Sequence, residues 1–272
     1  MKQRTNLLTI FIPLFILLSV VTIPYIWIIL TSFKTRPDIM STTPVWLFQP
    51  SWGNYVEIFH KDFGLYLTNS IIIGFSSTII CVTIGTLAAY CFSRYKVFAG
   101  DHLFFYILAT RLGPPAAYGV PMYLILDKLG LTNTHIAIIL AHATFNLAII
   151  VWMMKSFFDD VPKEVEEAAY LDGCNPYRTF YRISLPLAFP GLVAASIFAL
   201  IFSWNELFFS LILTSGETRT LPVMIPSLAQ HTGTQWGQVA AASIIQSIPV
   251  LIFIFFMQRW LVRGLTFGAV KG

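Results

Sequence analysis

Apolar residues fall in six long blocks, at positions 7–30, 65–92, 103–126, 135–154, 185–213 and 239–261, each bounded by polar or charged residues. Inside a block the pattern is neither the alternation of a half-buried strand nor the stripe of a soluble amphipathic helix. It is apolar all round, which suits a helix solvated by lipid. As a helix the first block would reach about 36 Å, against a hydrocarbon core of about 30 Å. It exceeds a signal-peptide core, and no small-x-small cleavage site precedes Thr31, so it reads as a retained first span. The third block holds Arg111 and the run Gly113-Pro114-Pro115. Proline lacks the helical donor and clashes with the preceding turn, so that span is expected to be kinked or broken. The pattern predicts an all-α, polytopic membrane protein: one membrane domain over 1–272 with six transmembrane helices.

Composition agrees. Hydrophobic residues make up 56% of the chain and charged residues 11%, against roughly a quarter charged in soluble domains. The net charge of +4 does not point to nucleic acid, because the basic residues are dispersed between apolar blocks. Their placement sets topology instead. With both termini inside, eleven Lys and Arg lie on the inner side; five (Lys34, Arg36, Lys61, Lys128 and Arg219) lie outside, and Arg111 lies in the third span. The expectation is a multi-pass membrane protein with both termini cytoplasmic, surrounded by membrane lipid. Cys81, Cys91 and Cys174 form no C-x-x-C pair, and the five histidines show no metal-ligand spacing. No metal site is expected.

Polar residues inside the blocks are candidates for a solute path. A carboxylate at mid-membrane costs about 2.5 to 3.5 kcal/mol on insertion scales, so Glu206 should face a partner or an aqueous path. Trp204 and Asn205 beside it suit a sugar, since an aromatic face covers the apolar side of a pyranose while amide and carboxylate bond its hydroxyls. Helix packing is the competing reading for all three. Arg111 could meet an anionic solute, or pair with Glu206 or a carbonyl at the broken helix. His142 and Asn146 lie one turn apart on the fourth span, where packing is favoured over a proton relay.

The inner loop at 155–184 reads KSFFDDVPKEVEEAAYLDGCNPYRTFYRIS. Pro162 fits a first helical turn, and Glu164, Glu166 and Glu167 suit the positive end of the helix dipole. Gly173 is placed to end that helix in a left-handed conformation. Asn175-Pro176 then reads as an N-cap and first position of a second short helix through Tyr177, Phe180 and Tyr181. Ala168 and Ala169 would leave a shallow face open to another protein, with Tyr170, Leu171, Tyr177 and Phe180 as apolar anchors. The loop at 214–238 contains Leu221-Pro222-Val223 and Ile225-Pro226, and reads equally as a folded loop dipping toward the membrane or a plain surface loop.

Glu167-Ala168-Ala169, three residues, Gly173, nine residues, Ile183, one residue and Leu185-Pro186 form a spacing that resembles the EAA loop of binding-protein-dependent ABC importer permeases. RLGPPAAYGVP from Arg111 to Pro121, Trp204-Asn205-Glu206 and the end of the chain from Gly264 to Gly272 resemble the MalG-like branch of carbohydrate permeases. The resemblance implies the type I ABC importer permease fold and a chain that is not itself an enzyme. It implies that Glu167, Ala168, Ala169, Asp172, Gly173, Ile183, Leu185 and Pro186 meet a partner ATPase, and that the C-terminal tail at 264–272, with Gly268, Lys271 and Gly272, reaches the ATPase dimer. It also implies a homologous second permease, and a periplasmic or lipid-anchored solute-binding protein approached by the outer loop. No G-x-x-x-x-G-K-[ST] phosphate loop is present, so ATP and Mg would be bound by the partner and this chain holds no cofactor. Against this stand an ion-coupled secondary transporter half, for which Glu206 is the one strong coupling carboxylate, and an intramembrane enzyme, for which no G-x-S-x-G, H-E-x-x-H or paired carboxylates occur.

Overall fold

The computed structural model describes residues 7–230 and 233–268. All six apolar blocks are helical, and the only strands among the described residues are the two-residue pair Ala229–Gln230 and Gly233–Thr234. In chain order the helices are α1 (Leu7–Ser32), α2 (Arg36–Ile39), α3 (Gly53–Phe59), α4 (Phe63–Arg94), α5 (Gly100–Leu112), α6 (Pro115–Lys128), α7 (His135–Asp159), α8 (Lys163–Leu171) and α9 (Pro176–Thr179). A π turn over Phe180–Ser184 leads to α10 (Leu185–Leu187), α11 (Phe189–Trp204), α12 (Phe208–Leu213), α13 (Leu221–Ser227) and α14 (Trp236–Gly268).

Among the described residues, four stretches are long and apolar enough to cross a membrane as single helices: Ile10–Ser32, Phe63–Arg94, His135–Asp159 and Trp236–Trp260. The third block is broken where proline predicted. Gly113 and Pro114 adopt extended backbone (ψ 148° and 134°), separating the 13-residue α5 from the 14-residue α6. Each piece is about 20 Å long, too short to span alone.

The fifth block departs from the expectation of one helix over 185–213. It begins at Phe189, because α11 meets the segment Pro176–Leu187 at 76°. It is then interrupted at 205–207, between α11 and α12. Asn205 leaves helical geometry (φ −97°, ψ 6°), and the Glu206 carboxylate takes over free N–H groups in the first turn of α12.

The chain forms two compact units. The first comprises 1–64 and 224–248. Here Asn54 Nδ2 donates to the carbonyls of Ser32 and Lys34 (2.9 Å each), and Lys61 Nζ donates to Gln238 Oε1 (2.8 Å). The second comprises 65–223 and 249–272, and its core lies where α4, α7 and α11 meet: Cys81, Ala143, Ile150, Ala195 and Ala199 are all buried. Small residues let these backbones approach closely, as association without a hydrophobic driving force requires. A Cβ on Gly85 would sit 2.6 Å from Ile150 Cγ2. A second cluster gathers Ile73, Ile138, Phe145, Phe209 and Leu213, with the Phe145 and Phe209 rings stacked at 4.8 Å.

The loop at 214–238 is folded, not a plain surface loop. Asn69 Nδ2 donates to the carbonyls of Glu217 (2.7 Å) and Arg219 (2.9 Å), Ser70 Oγ accepts from Leu221 N (2.9 Å), and Leu221 is 0% exposed.

Candidate functional site: an elbow between α7 and α11, and a polar cluster within the spans

The elbow is built from local signals that the sequence carries. Helix α8 ends at Gly173, whose φ of +82° only glycine adopts without strain. Gly173 N donates to Tyr170 O (3.1 Å) and Cys174 N to Ala169 O (2.9 Å), closing the last turn of the helix. Asn175 Oδ1 accepts from Arg178 N (2.9 Å) as the N-cap of α9, with Pro176 at its first position. A helix, a left-handed turn and a helix result, and the π turn after Thr179 carries the backbone on without interruption.

A buried ion pair anchors this elbow to the end of α4. Arg94 Nε donates to Glu166 Oε1 (2.8 Å), both side chains being about 5% exposed. Ser184 Oγ (2.8 Å) and Tyr90 OH (3.3 Å) also donate to Glu166, and Arg94 Nη2 donates to Val161 O (2.9 Å). The Tyr90 ring stands against Phe158 (5.2 Å) and Phe180 (4.8 Å). Beside the pair, partial burial and the neighbouring Tyr170 push the Tyr95 phenol above its ordinary value. The sequence marked Glu166 only as a carboxylate suited to the start of a helix, and it did not single out Arg94. Their signal was helical register: Glu166 and Ala169, three residues apart, share the buried face of α8.

The residues of the EAA spacing divide between two faces. Glu167, Ala168, Asp172, Gly173 and Pro186 are exposed, Ile183 and Leu185 are half-buried, and Ala169 is buried. Ala168 and Ala169 therefore do not form one open face. Of the expected anchors, Leu171 (90%) and Tyr177 (78%) are widely exposed and Tyr170 is partly so, whereas Phe180 is a core residue at 5%. Gly268 is the last residue of α14, and Lys271 and Gly272 lie outside the described residues.

The polar residues within the spans converge around α7 and α11. His142 Nδ1 shares a hydrogen bond with Ser203 Oγ (2.6 Å), and Nε2 shares one with Glu206 Oε2 (3.2 Å). Ser203 Oγ lies 2.6 Å from Ser77 Oγ on α4, so three helices are joined by one chain of side-chain contacts. Glu206 also accepts from Phe209 N (2.9 Å) and Ser210 N (3.1 Å), where the helix dipole favours a carboxylate. Arg111 does not pair with Glu206 directly; its guanidinium lies over the Phe202 ring, 4.6 Å from the centroid.

Arg111, His142, Asn146, Phe202, Ser203 and Glu206 help to line one cavity of about 130 Å³. That holds about four waters at their share of liquid volume, less than a pyranose ring with its hydroxyls needs. Asn146 Nδ2 donates to Ala199 O (3.3 Å), tying α7 to α11. Trp204 is 2% exposed, and its ring approaches Gly74 so closely that a Cβ there would lie 3.2 Å from it. Asn205 is exposed, with its amide turned back onto Ile201 O (2.9 Å). Among the described residues no group of three His, Cys, Asp or Glu side chains could hold a metal ion.

The chain is similar to known proteins in sequence and in fold. The chain resembles the trehalose transport system permease protein SugB of Mycobacterium tuberculosis, with 36% identity over 92% of each chain. It resembles the trehalose/maltose transport system permease protein MalG of Thermococcus litoralis at 35% over 94% of each. Its fold superposes on a chain of a bacterial ABC transporter involved in the import of the acidic polysaccharide alginate, with a TM-score of 0.75 at 20% identity, covering 95% of this chain and 98% of that one. Residues 81–267 match the family described as binding-protein-dependent transport system inner membrane component, a span that takes in α7, the elbow and α11. A multi-pass membrane protein built on this permease fold, the chain belongs to that family.

Proposed function

We propose that this chain is one of two paired membrane-spanning subunits of an ATP-driven importer, and that its cargo is a sugar or sugar-like solute. The cargo class rests on the sugar-permease names of its relatives. In this reading both termini face the bacterial cytoplasm, as the Lys and Arg distribution favours. A solute-binding protein delivers cargo from outside. An ATPase dimer that binds ATP and Mg engages the elbow through Glu167, Ala168, Ala169, Asp172, Gly173, Ile183, Leu185 and Pro186, and meets the tail at Gly268, Lys271 and Gly272.

The observation that carries the proposal is the elbow itself. Leu171 and Tyr177 are exposed on either side of the left-handed turn at Gly173, while the Arg94–Glu166 pair ties the helix before that turn to the end of α4. A partner that grips the exposed face therefore moves a membrane helix. The solute path would pass Arg111, Asn146 and Glu206, which face the cavity; burial of Trp204 and the inturned amide of Asn205 make these two the weaker members. Because that cavity is small, the path opens only in a second arrangement of the helices.

Transport by the whole complex in proteoliposomes tests this. Gly173→Asp puts a Cβ and a charge at an exposed position where no atom lies within 4 Å, so it strains the left-handed turn locally and spoils the grip without a clash in the core. Uptake of the cognate sugar is expected to fall about tenfold or more, with ATP hydrolysis no longer stimulated by loaded binding protein. Uptake should persist when the proton gradient is collapsed. Normal uptake by Gly173→Asp, or uptake by this chain without an ATPase, would sink the proposal.

A further inference from the structure

Lys34 follows α1 by two residues and is 2% exposed. Its ammonium lies over the Trp27 ring, 4.2 Å from the centroid, and 5.3 Å from that of Phe48. Among the described residues no carboxylate lies within ion-pairing distance of it. The nearest acid in sequence, Asp38, is engaged by Thr35, whose N (3.4 Å) and Oγ1 (2.6 Å) both donate to it. An ammonium taken out of water without a counter-ion is costly.

Lys34 is held in that position from several sides. Asn54 Nδ2 donates to the carbonyls of Ser32 and Lys34, and Ser51 N donates to Phe33 O (2.8 Å). Gly237 permits this: a Cβ there would lie 2.5 Å from the Asn54 amide. Though almost wholly covered, the lysine adjoins open space, for with Trp27, Thr31, Asp38, Thr43, Trp236 and Ser243 it lines a cavity of about 550 Å³. A second cavity, of about 340 Å³, shares Lys34 and Trp236 and adds Arg36, Asn54, Glu57 and Gln238; the Glu57 carboxylate there already accepts from Gln238 Nε2. Thr31 and Ser243 spend their hydroxyl protons on Trp27 O and Val239 O (2.8 Å each), which leaves both oxygens as acceptors.

With Asp38 and Glu57 engaged by Thr35 and Gln238, the free cation, aromatic walls and hydroxyl acceptors suit an anionic phosphate that carries its own hydroxyl donors. The position matches as well. The apolar stretch Ile10–Ser32 ends two residues before Lys34, which puts the lysine at the depth of lipid headgroups, and Trp27 and Trp236 at the level such side chains favour. We propose that Lys34 and these adjoining cavities form a binding site for a glycerophosphate group. Its source is an anionic phospholipid of the phosphatidylglycerol type or a free glycerol phosphate ester. Lys34 pairs with the phosphate, and the Thr31 and Ser243 oxygens accept from the glycerol hydroxyls. The site is independent of the solute that is transported.

The test uses the complete transporter, with p-benzoylphenylalanine placed at Thr43 or, in a second preparation, at Val45. In nanodiscs of phosphatidylcholine containing phosphatidylglycerol, illumination and mass spectrometry should find a phosphatidylglycerol adduct that saturates as its share rises. Lys34→Gln should lower the yield about tenfold, and Lys128→Gln should leave it unchanged. An adduct of glycerol 3-phosphate, added to nanodiscs of phosphatidylcholine alone, would sustain the site and assign it to the free ester. Should Lys34→Gln not assemble, wild-type residues at position 34 decide by competition: phosphatidylglycerol must outcompete phosphatidylcholine at equal abundance. Equal yields from the two lipids together with no glycerol 3-phosphate adduct, adducts insensitive to Lys34→Gln, or crosslinks to polypeptide alone would overturn the proposal.

Discussion

Glu166 and Glu167 are neighbours in sequence with opposite surroundings. Glu166 sits on the buried face of α8 with three side-chain donors, and Glu167 is exposed on the other face. Removing one member of a buried ion pair strands the other, at a cost of about 3 to 5 kcal/mol. Glu166→Ala and Arg94→Ala should therefore each lower the thermal unfolding midpoint of the purified protein markedly. Glu167→Ala should stay within about 0.5 kcal/mol of wild type, as exposed substitutions do. Equal midpoints for Glu166→Ala and Glu167→Ala would show that the pair does not hold the elbow. The motif spacing was legible at Glu167 and Gly173, because chain signals mark them directly. Glu166, Arg94 and Phe180 were not, because their role depends on which face of a short helix meets the end of another helix 72 positions away.

At the scale of elements, proline made one break visible and nothing made the other visible. The α5–α6 break follows from Gly113-Pro114-Pro115, whereas Asn205-Glu206-Leu207 contains neither proline nor glycine. The second break is held by Glu206, whose two oxygens replace the α-helical acceptors that Phe209 and Ser210 would otherwise lack. Loss of such a cap costs about 1 kcal/mol in an exposed helix and more where water cannot substitute. Glu206→Ala should lower the unfolding midpoint and disturb the stacked Phe145–Phe209 contact beside it. Glu206→Gln keeps one acceptor oxygen and should recover part of the loss. If Ala and Gln are equally damaging, charge toward His142 and not capping is the larger contribution.

At the scale of the whole molecule, the six apolar blocks forecast the helical architecture, but not its division into two compact units, since long-range contacts leave no mark in hydropathy. Orientation rests on charge asymmetry and is open to direct measurement. Cys174 lies on the elbow and is partly exposed. In a protein whose other cysteines are replaced by serine, a membrane-impermeant maleimide should label Cys174 in inverted vesicles and spare it in right-side-out cells; a cysteine at Thr43 should do the reverse. Labelling of both positions from one side would refute the orientation. The 76° bend at Ala188 has a mechanical consequence. It makes a bell crank of the second half of the elbow and α11: two stiff arms joined near a right angle without a gap in the backbone. At 1.5 Å per residue the α11 arm is about 24 Å long, so tilting the short arm by about 5° swings its far end, beside His142 and Glu206, by about 2 Å. A small torque at one surface of the bilayer thus becomes a displacement deep inside it, comparable to the width of a hydrogen bond.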